Sequence, residues 1–153
     1  MVHPIKRLYA VLAEQPEHAA AIVSSAYEVD EDKLTVPHIT EIYEDLDREV
    51  PGRCLSDAAA QRIAAFIRSL DPCTKVLFCA CNMGQRRSTA IAAAAHLYFG
   101  MDDMPIWENT AYQPNPLVFQ KVCEALGLSL TDEMLDYRLE TNYHAFRSAI
   151  RNQ

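Results

Sequence analysis

Cys81, Gly84, Arg87 and Ser88 stand in the spacing Cys-x-x-Gly-x-x-Arg-Ser, inside the segment VLFCACNMGQRRST that runs from 76 to 89. An apolar, β-compatible run precedes the cysteine, and a nearly all-apolar, alanine-rich run follows the serine. A strand before and a helix after put the polar loop at a helix N-terminus, where several backbone N–H groups converge and the helix dipole adds positive potential. Such a nest accepts a tetrahedral dianion. Gly84 permits a turn that a Cβ obstructs. Arg87 can grip two oxygens of one phosphate, which a lysine cannot. Asn82, Met83, Gly84, Gln85, Arg86 and Arg87 together form the expected phosphate-binding loop. Cys81 at its base is expected to ionise below the ordinary thiol value of about 8.5, because the same N–H groups stabilise its thiolate. A thiolate beneath a bound phosphate is an in-line nucleophile. The Ser88 hydroxyl is placed to donate to that sulfur and help it leave. Arg86 and Arg87 are adjacent cations at a helix start, where they oppose the dipole, so an anion is required nearby.

This motif after a hydrophobic strand resembles the signature loop of the cysteine-dependent protein tyrosine phosphatase superfamily. The closer similarity is to compact dual-specificity-like bacterial tyrosine phosphatases, and it spans roughly Ile22 to Leu128. The resemblance implies a phosphocysteine intermediate, with Cys81 as nucleophile, Arg87 as phosphate clamp and Ser88 as the thiolate's partner. It implies no metal and no cofactor. It also implies a general acid on an upstream loop that protonates the leaving oxygen and later activates water. EIYEDLDREVPG offers Asp45 and Asp47. The resemblance favours Asp45, which an aliphatic residue follows directly, and Asp47 stays open beside it. The stretch Tyr112 to Pro116 resembles one that these phosphatases carry after the signature helix, with a scaffold role. One departure is Ala80, where the family usually has a histidine before the cysteine.

The function so implied is phosphomonoester hydrolysis on a phosphorylated protein or a small aryl phosphate. Two alternatives remain open on the residues. Ala80 motivates a catalytically weak module that binds phosphorylated partners. A redox or arsenate-reducing thiol needs a second cysteine, and only Cys79 is near in sequence.

The elements that position this loop are expected as follows. Leu8 to Leu12 reads as a strand, Pro16 to Val23 as a short helix and Ala26 to Val29 as a strand, before a polar loop to Pro37. His38 to Leu46 reads as a strand and an acidic loop, and Pro51-Gly52 as a turn. Ser56 and Asp57 cap a helix with Ile63, Phe66, Ile67 and Leu70 on one face. Val76 to Ala80 suits a strand buried on both sides, and Ser88 to Phe99 a buried helix. Asn115-Pro116 starts a helix with Phe119, Val122, Cys123 and Leu126 as its stripe. Thr131 starts a last helix with Leu135, Leu139, Tyr143, Phe146 and Ile150 inward. Helices alternating with buried strands give a single α/β domain over 1–153, a central mostly parallel sheet flanked by helices.

Composition narrows the function classes. The 153 residues carry a net charge of -7, with 50% hydrophobic and 23% charged residues. That acidity opposes nucleic-acid binding and a basic membrane-surface module. Five cysteines in irregular spacing, with no C-x-x-C, indicate neither a zinc ribbon nor a thioredoxin pair. The start reads as no signal peptide, and no run approaches the ~18 apolar residues of a membrane span. The expectation is a cytoplasmic protein with reduced thiols, acting on neither nucleic acid nor membrane, its oligomeric state open.

Overall fold

The computed structural model describes residues 1–153. A four-stranded sheet, all parallel, has the order β1-β4-β2-β3, where β1 is Val2–Pro4, β2 Ala19–Ser25, β3 His38–Ile42 and β4 Val76–Cys81. Helix α1 (Ile5–Ala13) follows β1, and α2 (Asp57–Arg68) lies between β3 and β4. After β4 come α3 (Arg87–Tyr98), α4 (Met104–Glu108), α5 (Pro116–Ala125) and α6 (Asp132–Arg151). A parallel sheet needs cover on both faces, and the strand alternation supplies it. Ala21, Val23, Phe78 and Ala80 face one way, into a core with Ile5, Leu8 and Leu12 of α1. Ile22 and Cys79 face the other way, into a larger core with α2, α3 and α5. No helix is long and apolar enough to cross a membrane.

Three of the expected elements differ. Leu8 to Leu12 is helix, not strand: Ile5, Leu8 and Leu12 are its buried residues, spaced at i, i+3 and i+7. Pro16 to Val23 is not a helix. Gln15 and His18 take positive φ, which reverses the chain, and all seven residues of β2 are buried. A central strand covered on both faces accepts alanines because tertiary burial outweighs their helical preference. Ala26 to Val29 does not extend the sheet. The Ala26 N–H goes to the Asn82 side chain and the Tyr27 N–H to Ser25 Oγ, so side chains take the place of a ladder there.

α2, α3, α5 and α6 stand where the sequence puts them, each of α2, α5 and α6 capped by a side chain: Ser56 accepts from Ala59 N–H, Asn115 from Val118 N–H and Thr131 from Met134 N–H. The inward face of α6 differs from expectation. Tyr143 and Ile150 are exposed, and the buried residues are Leu135, Arg138 and Asn142. Arg138 forms a two-armed ion pair with Asp103, both arms 2.8 Å, and Asp103 also accepts from Trp107 Nε1 at 2.8 Å. Asn142 donates to the carbonyls of Trp107 and Tyr112. Polar groups therefore fasten α4 and the 109–115 connection to α6, and that connection ends at the site.

Candidate active site

β4 ends at Cys81, the loop 82–86 turns back, and α3 begins at Arg87. In register, Cys81 lies between Pro4 of β1 and Ser24 of β2. Gly84 has φ +68, and a Cβ there would stand 2.5 Å from the Pro4 nitrogen and 2.8 Å from the His3 carbonyl carbon. Only glycine permits both that conformation and that approach. None of the N–H groups from Asn82 to Arg86 has a main-chain carbonyl partner.

Cys81 is buried, and its Sγ lies 3.1 Å from Ser88 Oγ. Burial alone pushes its pKa up. The Ser88 hydroxyl and the backbone N–H groups of Ser88, Gln85 and Arg86 outweigh that, so the thiol ionises below its ordinary value. Two other buried thiols go the opposite way. Burial raises Cys79 to about 11 and Cys123 to about 12. Cys81 alone among the buried cysteines is surrounded by donors.

Arg87 is 6% exposed. Its Nη1 donates to the Tyr43 carbonyl at 2.8 Å and its Nη2 to Asn82 Oδ1 at 2.7 Å, and the guanidinium lies over the Tyr43 ring at 5.8 Å. Those oxygens are neutral, and Nε is buried with no partner. A buried cation without a counter-ion is costly, and an anion beside it removes that cost. Tyr43 is itself fixed by donating to Ser24 Oγ at 2.7 Å. Asn82 also spans to the end of β2, accepting from Ala26 N–H and donating to Ser25 Oγ. Its side chain is thereby committed, which leaves its N–H for an anion. The Met83 and Gln85 side chains face solvent.

The adjacent cation is differently used. Arg86 Nε donates to Asp45 Oδ2 at 2.9 Å, and its Nη2 contacts Asp47 Oδ1. The counter-anion that the paired arginines require is thus, for Arg86, the two candidate acids themselves. The loop's positive potential comes from its N–H groups and Arg87. Asp45 is also held at Oδ1 by Asn115 Nδ2, at 2.6 Å. The fold brings Cys81, Arg87, Ser88, Arg86, Asp45 and Asp47 to one end of the sheet. The sequence signalled Asn115 only as a helix cap. Lys121 gave no signal: from α5 its Nζ reaches the Leu55 carbonyl at 2.8 Å, Glu49 at 2.6 Å and Asp57 at 3.2 Å, tying down the segment after the acids. No cluster of His, Cys, Asp or Glu is arranged to hold a metal ion.

No family model and no curated protein matches the chain. Among solved structures, human DUSP28 superposes with a TM-score of 0.51 at 14% identity, over 97% of this chain and 94% of that one. The chain has the protein tyrosine phosphatase fold. PTPMT1 in complex with PI(5)P (14% identity, 97% and 91% of the two chains, TM-score 0.46) is a more distant match. So is the human tyrosine phosphatase-like serine/threonine/tyrosine-interacting protein (18%, 96% and 91%, 0.47). Within the phosphatase fold, the parallel sheet delivers Cys81 from its central strand and α3 supplies the N-terminus above it.

Proposed function

We propose that the chain is a member of the cysteine-dependent protein tyrosine phosphatase superfamily and hydrolyses phosphomonoesters, acting on phosphotyrosine in a protein or on a small aryl phosphate. The observation that carries this reading is a donor-surrounded Cys81 thiol at the end of β4, with an unpartnered, buried Arg87 Nε at the start of the helix that follows the loop. In the first step the Cys81 thiolate attacks phosphorus. The S–P bond forms, the P–O bond to the aryl group breaks, and Asp45 gives its proton to the departing oxygen, Asp47 being the alternative donor. In the second step water attacks the phosphocysteine while the carboxylate takes a proton from it. The S–P bond breaks, inorganic phosphate leaves, and the Ser88 hydroxyl bonds the restored thiolate. Arg87 and the loop N–H groups hold the equatorial oxygens, where charge accumulates in both transition states.

Hydrolysis of an aryl phosphate by wild type and Cys81→Ser tests the reading. Turnover that the substitution abolishes, with a burst of phenol in rapid-mixing experiments on the wild type, supports it. Turnover that survives the loss of the thiol overturns it. Phosphopeptide binding without any phosphate release by the wild type would instead favour a binding module.

A further inference from the structure

Arg86 touches the thiol, both candidate acids and Asn115. Its backbone N–H points to Cys81 Sγ. Its carbonyl accepts from the Asn115 N–H at 3.0 Å. Its guanidinium holds Asp45 at 2.9 Å and contacts Asp47. Asn115, fully buried, closes the circuit. It donates to Asp45 Oδ1 at 2.6 Å and to the Leu46 carbonyl at 3.0 Å, while its own oxygen caps α5 through the Val118 N–H. Asp45 thus has a donor on each oxygen, both from groups fixed to the phosphate loop or to α5. Asp47 has Arg86 alone and is far more exposed, at 60% against 28% for Asp45.

We propose that Arg86 is a positioning residue: with Asn115 it fixes the Asp45 carboxyl against the phosphate loop as the leaving-group acid, and Asp47 balances its second arm. The assignment rests on the hydrolase reading above. The geometry explains why an arginine stands here. One planar fork bridges two carboxylates, while a lysine ammonium is a point charge. It also distinguishes the two acids. Proton transfer in the transition state depends on placement within a fraction of an ångström, and Asp45 is the carboxyl held on both sides. The side chain of Arg86 acts on the acid, whereas its contact with the thiol is through the backbone. Replacing the side chain separates the two.

That separation makes the leaving group the readout. The experiment compares kcat/KM for a series of aryl phosphates, from 4-nitrophenyl to phenyl and 4-methoxyphenyl, in wild type, Asp45→Asn, Asp47→Asn, Arg86→Ala and Arg86→Lys. Cys81 alkylation and thermal unfolding are followed in parallel. A good leaving group departs without a proton and a poor one does not. Arg86→Ala should therefore lose only a few-fold on 4-nitrophenyl phosphate but on the order of 10²-fold on the poorest substrate, matching Asp45→Asn in slope. Arg86→Lys should show the same steepening with an intact fold and an unaltered rate of Cys81 alkylation. Asp47→Asn should keep the shallow slope of the wild type. Equal losses across the series in both Arg86 variants overturn the assignment, as does a steep slope in Asp47→Asn. No turnover of any aryl phosphate by the wild type overturns the hydrolase reading and the assignment with it. Turnover with parallel losses overturns the assignment alone.

Discussion

The Cβ that Gly84 lacks would lie 2.5 Å from the backbone nitrogen of Pro4. The 82–86 loop is therefore seated on the end of β1, a three-residue strand that pairs Pro4 with Cys81. Gly84→Ala meets two penalties. A positive φ costs a residue with a Cβ about 1–2 kcal/mol, and the contact with backbone atoms forces the loop away from β1. A shift of the loop misplaces every N–H that faces the thiol. The expected outcome is a folded protein with aryl phosphate turnover lowered on the order of 10²-fold. Its kcat/KM and the alkylation rate of Cys81 should fall together.

In the proposed mechanism Ser88 contributes to both chemical steps. Its hydroxyl and its N–H both stabilise the Cys81 thiolate, and only the hydroxyl is removed by Ser88→Ala. Loss of a donor to the charged form raises the thiol pKa. The acidic limb of the kcat/KM profile should move to higher pH, as should the pH dependence of alkylation. The second step suffers more directly, because the thiolate is then the leaving group. A hydrogen bond to an ionised group is worth about 1.5–3 kcal/mol, so breakdown of phosphocysteine should slow about 10- to 10²-fold. Accumulation of the phosphoenzyme, trapped by acid quench, checks this.

The geometry of the loop was legible in the sequence because its candidate residues are contiguous. Cys81, Gly84, Arg87 and Ser88 need only a strand before and a helix after, and both runs are unambiguous in pattern. The parts that failed to read are those fixed by distant partners. The Leu8 to Leu12 run is apolar enough for either element until α1 is seen covering Ala21, Val23, Phe78 and Ala80. The alanines of β2 carry helical preference, and burial on both faces overrides it. Arg138 and Asn142 look like solvent-facing residues of α6. They are buried because Asp103 and two carbonyls, some thirty positions away, satisfy them. Asn115 shows the same limit at the site. Its cap role is local and readable, while its grip on Asp45 crosses 70 positions.

The thiols predict how stability depends on pH. Burial raises Cys79 to about 11 and Cys123 to about 12, against about 8.5 for a thiol in the unfolded chain. Above that lower value the unfolded chain has released protons that the folded chain keeps, so stability falls as pH rises. The contribution is complete below about pH 8.5 and is lost as pH climbs through the folded values. Cys81 has the opposite sign. Its lowered pKa adds stability above the unfolded value, and that share is lost as pH falls. Urea unfolding between pH 8 and 11 should show declining free energy. Cys79→Ala should flatten the decline, whereas Cys81→Ser should leave it nearly unchanged, because the Cys81 share is constant above the unfolded value and is lost only below it.

The Asp103–Arg138 pair predicts where the scaffold is most sensitive. Asp103 is 1% exposed and accepts from Arg138 twice and from Trp107 once. Arg138→Ala leaves a buried carboxylate with only the indole donor. Breaking a buried pair on one side costs about 3–5 kcal/mol, and so lowers Tm by roughly 10 °C in a domain of this size. Asp103→Asn with Arg138→Met removes both charges and should cost less than either single change, because no unpaired ion remains. The single change should also weaken the hold of α6 on α4 and, through the 109–115 connection, on Asn115. Arg138→Ala is therefore expected to lose more activity on poor leaving groups than on 4-nitrophenyl phosphate, at temperatures where it is still folded. Calorimetry and the leaving-group series together check both halves.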